Sequence, residues 1–399
     1  MNIKHEVVLA LQTIFVGLIR TSSIGDVVIS TTALNFLKIA EQQLTNTCFK
    51  VLFITRRPCS ELLRQSHPEL QIVDMDSFKS DDELVNQLIG LDLLIDLQVN
   101  PRSKMWCRKF KRKTGKPIIC AQKNRWQRLK LVWDAFWRRR SHALPAATMQ
   151  SDIFQYRIVI DALNEGIAKL DFSQPSNTAR LALDAARPNL PMARVLGQTQ
   201  GLPNSKTDWI AIAPGASYSA KKCPEAVFLQ ILREFSESMP LHLLPQLVFL
   251  GDEKDTRSTQ LIIKELTWPT EILDLSGKTT LAESTAILSQ CKLILCNDSS
   301  LGHIAEAVGT PAGVLFGPTV EAFGFRPFKE HSRSFSIPLG CRPCSRHGSA
   351  PCRFKDYLCF TSLKTGDIVQ WLQGLIISPH TNMTLNFEKS IDGQKGHPL

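Results

Sequence analysis

The sequence predicts an α/β protein in which two parallel sheets, each wound with helices on both faces, meet across a cleft. Three observations predict it. Apolar runs of strand length alternate with helix-length amphipathic segments along most of the chain, the pattern of βα units rather than hairpins. That rhythm breaks once, in the Pro-, Gly- and polar-rich stretch AARPNLPMARVLGQTQGLPNSKTD, and then restarts. The chain's 399 residues also exceed what one hydrophobic core holds.

Taken in order, the first unit reads as strands TIFVGLI, FKVLFIT, LQIVDM, LDLLIDL and KPIICAQ, with helical patterns such as STTALNFLKIAEQ and SDDELVNQLIG between them. ARLALD, ending at residue 184, is a further strand candidate. The second unit repeats the scheme with DWIAIA, QLVFLG, EILDLS, KLILCN and PAGVLF, helices PEAVFLQILREF and LAESTAILSQC, and a last helix GDIVQWLQGLI. The expected limits are 1–190 for the first domain, 191–206 for a linker and 207–377 for the second domain. Residues 378–399 form a polar tail of disordered composition.

Composition is that of a soluble globular protein, 43% apolar and 21% charged, with no apolar run long enough to span a bilayer. VVLALQTIFVGLI has the look of a signal h-region. No small-residue cleavage site follows it, however, and Arg20 with TSSIGD suits the end of a buried strand better. Eleven cysteines without a secretory leader point to a reducing cytoplasm.

The net charge of +10 is concentrated. Residues 101–140 carry fifteen Lys or Arg and one acid, Asp134, a net of +14 that leaves the remainder about four charges negative. The same stretch holds Trp106, Trp126, Trp133 and Trp137, four of the seven tryptophans. Such a segment can lie on an anionic membrane surface, bind nucleic acid, or form a solvated basic helix whose tryptophans pack inward. No helix-turn-helix, finger or RNA-recognition pattern supports nucleic acid.

Four loops fall at the carboxyl ends of predicted strands, where ligands bind in such sheets. IRTSSIGDVV ends the first strand with hydroxyls, Gly25 and Asp26. Asp26 is either an acid favoured by a helix N-terminus or a group that takes a proton. APGASYSAKKCP places Gly215 and the cations Lys221 and Lys222 before a Pro-initiated helix. CNDSSLGHIAEAVG opens a helix with Asp298, Ser299 and Ser300 and carries His303. LFGPTVEAFGF is the fourth. A diphosphate needs backbone N–H donors, a helix N-terminus and one or two cations, which the second and third loops supply if they face one another. Each loop also has a plain reading as an N-cap or a turn. The absence of G-x-G-x-x-G after the first strand and of G-x-x-x-x-G-K-[ST] anywhere argues against a dehydrogenase or a P-loop NTPase.

In these motifs the chain resembles the heptosyltransferases, glycosyltransferase family nine, which build the lipopolysaccharide inner core. The resemblance rests on IRTSSIGDVVISTTAL, DLQVNPRS, APGASYSAKKCPEAVF, the run from SGKTTLAES to VLFGPT, and CRPC, in that order over most of residues 13–375. It implies two Rossmann-like domains of the glycosyltransferase-B type, an ADP-heptose donor and inversion at the anomeric carbon. Asp26 would be the catalytic base. Ser23, Gly25, Gly215 and Lys221 would serve the donor, Asp298 would hold its sugar, and Ser299 and Ser300 would face its diphosphate, with His303 in the same signature. No metal or cofactor is then expected, because fixed donors and a lysine replace a divalent ion.

The family's acceptors are Kdo-bearing lipid A precursors, so Arg102, Lys104, Arg108 and the cations through Arg140 would meet carboxylates, lipid phosphates or the cytoplasmic face of the inner membrane, and not nucleic acid. Three departures surround the donor pocket. Cys223 stands where the family usually has Trp, Ser300 where Gly is common, and Gly302 where a bulkier residue is usual. They bear on which sugar is taken more than on the reaction. Finally, Cys341, Cys344, Cys352 and Cys359 are spaced C-x₂-C-x₇-C-x₆-C, which admits either a tetrahedral metal site or four reduced thiols.

Overall fold

The computed structural model describes residues 11–44, 46–123, 125–138, 140, 143–144, 148, 154–170, 186–191 and 209–377. The first unit is a five-stranded parallel sheet ordered β3-β2-β1-β4-β5. Its strands are β1 (Gln12–Ile19), β2 (Thr47–Thr55), β3 (Gln71–Asp74), β4 (Leu93–Asp96) and β5 (Ile118–Cys120). β1 is flanked on both edges, Val16 standing opposite Val51 on one side and Leu93 on the other. A central parallel strand buried on both faces must be apolar at nearly every position, which is why these runs are continuous rather than alternating.

Helices α1 (Ile24–Ser30), α2 (Thr32–Gln43), α3 (Cys59–Ser66), α4 (Asp81–Asn86), α5 (Pro101–Thr114), α6 (Arg125–Trp137) and α7 (Gln155–Ile167) complete this unit. α5 is fully specified by its sequence. Asn100 caps it through the Ser103 amide, Pro101 occupies its first turn, and Gly115 ends it at φ 70°. Lys111, Arg112 and Lys113 sit in its last turn, where the macrodipole favours cations.

The second unit is a six-stranded parallel sheet ordered β11-β10-β9-β6-β7-β8. It comprises β6 (Trp209–Ala213), β7 (Gln246–Phe249), β8 (Ile272–Asp274), β9 (Leu293–Asn297), β10 (Ala312–Leu315) and β11 (Arg333–Phe335). Around it lie α8 (Glu225–Ser238), α9 (Thr256–Glu265), α10 (Leu281–Leu288), α11 (Ser300–Val308), α12 (Leu358–Thr361) and α13 (Thr365–Ile377). In both sheets the order reverses beside the first strand, between β1 and β4 and between β6 and β9. These are the switch points at which a crevice opens.

The two units share a core. Apolar side chains beneath the first sheet, among them Val16, Phe36 and Leu163, run through α1 and α11 into those beneath the second, among them Val248, Ile294 and Ile304. Residues 186–191 touch both units, the Asn189 amide donating to Thr31 Oγ1 and the Leu190 amide to the Ala307 carbonyl. Each strand expected from the sequence is present except ARLALD, which lies outside the described residues, as do residues 192–206 of the expected linker and the tail from 378. β11 is additional.

Of the readings open for the basic stretch, inward-packed tryptophans hold for α5 and not for α6. Trp106 of α5 is buried, but Trp126, Trp133 and Trp137 of α6 are 85%, 65% and 68% exposed. Among the described residues no helix is long and apolar enough to cross a membrane.

Candidate active site

β1 ends at Ile19, and the TSSIGD loop turns straight into α1. Ser23 caps that helix, and Asp26 is its third residue, where a carboxylate reaches back to the cap. Asp26 Oδ2 accepts from the Ser23 amide at 3.2 Å and from Ser23 Oγ at 3.0 Å, while Oδ1 lies 2.6 Å from the Arg20 guanidinium. Arg20 also donates to the Leu97 carbonyl. Gln98 braces the loop from below, accepting from the amides of Thr21 and Ser22 at 3.1 and 3.2 Å. Part of DLQVNPRS is therefore structural support for the loop that carries Asp26. Burial pushes the Asp26 carboxyl up, but Arg20 and the Ser23 donors outweigh it and hold it below the ordinary value of 3.8. Asp26 is an ionised acceptor at neutral pH.

The second unit offers a matching acid. Asp298, one residue past β9, is buried, with Oδ2 at 2.7 Å from Lys221 Nζ and 2.6 Å from Thr319 Oγ1. Burial again raises its carboxyl, and Lys221, Thr319 and His303 pull it below the usual range. Ser299 caps the nine-residue α11, and its buried hydroxyl has no hydrogen-bond partner among the described residues. The first N–H groups of α11, beginning at Ser300, are free of intrahelical partners, as at any helix start.

Asn297, which the sequence did not single out, clamps this site. Its Nδ2 donates to the Pro214 carbonyl at 2.6 Å, and its Oδ1 accepts from the Cys223 amide at 3.2 Å. Lys222 is held by Asp255 at 2.7 Å. Gly215 packs on that same Asp255, and a Cβ on Gly215 would lie 2.0 Å from Asp255 Oδ2. Cys223 is buried in the second unit's core. Exchanging it for Trp is therefore a change of core packing.

The two switch points meet. α1 packs against α11 so closely that a Cβ on Gly25 would lie 2.9 Å from the His303 ring and 3.6 Å from Ser300 Cα. Burial pushes the His303 imidazole down, against the pull of Asp298 and Asp26, so it is neutral at physiological pH. The loop of Ser23, Gly25 and Asp26 thus meets the start of α11 at Ser300 and His303, and His303 lies within the fields of Asp26, Asp298 and Lys221.

Two cations of the basic stretch, Lys123 and Arg128, and a loop of the second unit add to these residues, and none of them was singled out by number. Lys123 follows β5 and donates to the Gln98 carbonyl. Burial, then the charge of Arg20, pushes its ammonium down to about 7. Arg128 of α6 crosses to the second unit and donates to the Phe323 carbonyl at 2.8 Å. A loop bearing Arg346, His347 and Gly348 covers Lys221, with Gly348 at φ 70° against its methylenes. Lys123 sits at a strand's carboxyl end, so its position was a usable signal, whereas the 346–348 loop carried none.

The three expected acceptor cations lie on α5. Arg102 pairs with Asp81 at 2.9 Å and stacks on Trp106. Lys104 and Arg108 are exposed. None of the three is hydrogen-bonded or ion-paired to the cleft residues named above. Cys341, Cys344, Cys352 and Cys359 line one cavity of about 230 Å³ between α6 and the loop before α12. They are unbridged, and burial pushes Cys344 up to about 11 and Cys359 to about 12. Among the described residues, no three His, Cys, Asp or Glu side chains gather closely enough to hold a metal ion.

Two Rossmann-like units meeting at their switch points define the glycosyltransferase-B architecture, and solved structures share it. The glycosyl transferase family 9 protein of Veillonella parvula superposes with a TM-score of 0.63 over 92% of this chain and 98% of that one, at 15% identity. ADP-heptose lps heptosyltransferase II of E. coli gives 0.62 over 91% and 99%, at 18% identity. E. coli heptosyltransferase WaaC, solved with ADP-2-deoxy-2-fluoro heptose, gives 0.57 over 90% and 99%, at 14% identity. At these identities the likeness concerns the fold alone.

The family assignment comes from sequence. Residues 128–357 match the model of glycosyltransferase family 9 (heptosyltransferase), and the chain belongs to that family. Lipopolysaccharide heptosyltransferase 2 of Escherichia coli (strain K12) is 28% identical over 123 residues, 30% of this chain and 34% of that protein. Lipooligosaccharide heptosyltransferase 2 of Haemophilus influenzae is 31% identical over 115 residues, 28% and 31% of the respective chains. The match spans about a third of the length of these curated relatives.

Proposed function

We propose that this protein is an inverting glycosyltransferase that moves a heptose from ADP-heptose to a lipopolysaccharide core acceptor. The observation that supports the reading is the closeness of α1 and α11 at Gly25 and His303, which brings the loop of Asp26 to the helix that begins beside the Lys221–Asp298 pair. An acceptor hydroxyl beside Asp26 attacks the anomeric carbon of a donor lying against α11. The O–H proton passes to Asp26, the new C–O bond forms, and the bond to the diphosphate breaks, with ADP leaving as an anion.

The leaving diphosphate faces the N-terminus of α11, the unpartnered Ser299 hydroxyl and Lys221, three fixed partners for the charge that develops. Lys221 would then share its charge between Asp298 and the phosphates. No step in this reading passes through a metal ion. The relatives' names supply the donor and acceptor class, and the cationic surroundings of Asp26 suit a phosphorylated or carboxylated acceptor. On this reading the protein works in the cytoplasm, peripheral to the inner membrane, its basic segment meeting the anionic leaflet and no nucleic acid.

Thermal shift with ADP, UDP, GDP and dTDP tests the donor. ADP at a hundred times its Kd should stabilise by about 2.7 kcal/mol. A preference for another nucleotide would replace the donor, and no response to any nucleotide would sink the enzyme reading.

A further inference from the structure

Helix α6 has two working faces. One lies on the second unit. Arg128 donates to the Phe323 carbonyl at 2.8 Å, Arg138 to the Gly340 carbonyl at 3.3 Å, and Ala135 between them is 1% exposed. The opposite face carries Trp126, Leu129, Trp133, Phe136 and Trp137, all exposed and spaced as one helical stripe. The Trp133, Phe136 and Trp137 rings touch edge to face with centroids 5.9 and 5.4 Å apart. Arg353 then bridges Phe136 to the exposed Phe354 ring of the loop before α12.

Among the described residues, five of the thirteen large exposed apolar side chains sit on this one helix, so it is a patch and not scatter. Its surroundings are cationic, with Arg125 and Lys130 on the helix and Arg353 at its far end, where Arg140 is paired with Asp356; Asp134 is the single acid in residues 101–140. Indole rings flanked by cations match the boundary between anionic headgroups and acyl chains, where the ring sits at headgroup depth and the cation meets phosphate.

We infer that α6 seats the protein on an anionic lipid surface through this aromatic stripe. The inference deepens the reading above by naming the surface that meets the leaflet. Arg128 lies on the inner face of the same helix, within the field of Asp26, so α6 stands between the lipid surface and the cleft.

The test uses the full-length protein and vesicles of phosphatidylcholine, with or without phosphatidylglycerol. Wild type should bind the anionic vesicles, shift its indole emission to the blue, and be quenched by brominated acyl chains. A Trp126→Ser/Trp133→Ser/Trp137→Ser variant should bind at least about tenfold more weakly. Lys130→Glu should also weaken binding and flatten its salt dependence. Quenching of the wild type needs no variant, so poor folding of the triple variant leaves the test intact.

Unquenched wild type, or undiminished vesicle binding by a folded triple variant, would overturn the inference. So would a triple variant that keeps its vesicle binding but loses self-association in sedimentation, since the stripe would then join copies of the chain. Transfer to a de-acylated, water-soluble acceptor is measured separately. Its absence would sink the proposed reaction and leave the seating standing.

Discussion

Asp26 and Asp298 occupy equivalent places, each just past a strand at a switch point, each paired with a cation and each held below the ordinary carboxylate range. They differ in how far they are sealed. The Asp298 side chain is 8% exposed, and one of its oxygens is fully engaged by Lys221 and Thr319. The Asp26 side chain is 19% exposed, and among the described residues its side-chain partners are Arg20 and Ser23. A carboxylate that exchanges a proton must be reachable, whereas one that positions a lysine gains from being closed off. The two acids divide the work between chemistry and binding.

The sharpest way to break that division is at Asp26. Asp26→Asn should lower transfer roughly thousandfold, within the range for a lost general base, while leaving stabilisation by ADP as in the wild type. If both fall together, Asp26 belongs to binding and the contrast collapses. Asp298→Ala should act the other way. Removing one partner of a closed ion pair costs about 3 kcal/mol of stability, and Lys221, released from its anchor, should bind ADP more weakly. Thermal unfolding with and without ADP measures both effects. An unchanged midpoint and unchanged ADP response would show that Lys221 positions itself.

A smaller effect is expected at the contact between the two sides. Gly25→Ala puts a methyl 2.9 Å from the His303 ring, so α1 and α11 must part by a few tenths of an ångström. A loss of transfer of about tenfold, with ADP binding kept, would show that the spacing across the cleft matters. Restored activity in Gly25→Ala/His303→Ala would identify the ring as the obstacle. No loss in Gly25→Ala would mean that the cleft tolerates a wider gap.

Much of this was legible in the sequence, for reasons that can be named. Strands such as TIFVGLI and KLILCN are buried on both faces, and only a continuous apolar run satisfies that. Asp26, Lys221 and Asp298 stood out because they follow those runs closely. Arg20 also follows its strand, but nothing in the sequence pairs it with an acid six residues on. Arg128, Arg346 and His347 reach the cleft from a helix and a loop whose placement depends on the packing of one unit on the other. The orientation of α6 was hidden for a plainer reason. Val132 and Ala135 make its inner face apolar, while Trp126, Trp133 and Trp137 make its outer face aromatic, so periodicity favours neither.

The finest test of the contrast is pH. Asp26 acts as a base only when ionised, and Arg20 holds it below its ordinary value of 3.8. Transfer by the wild type should therefore show no acid limb from this group until the pH falls below the usual carboxylate range. Arg20→Gln removes the cation but leaves burial, which pushes the carboxyl up, so the limb should move to higher pH with the plateau rate retained. The same sign governs stability. The ionised Asp26 contributes above its unfolded pKa, a contribution lost as pH falls through the depressed folded value and lacking in the variant at any pH. Profiles of kcat/KM for the two proteins decide the matter. A limb near pH 7 common to both would belong to Glu306 or Lys123, each carried to about 7 by burial, and would remove Asp26 from the role assigned to it.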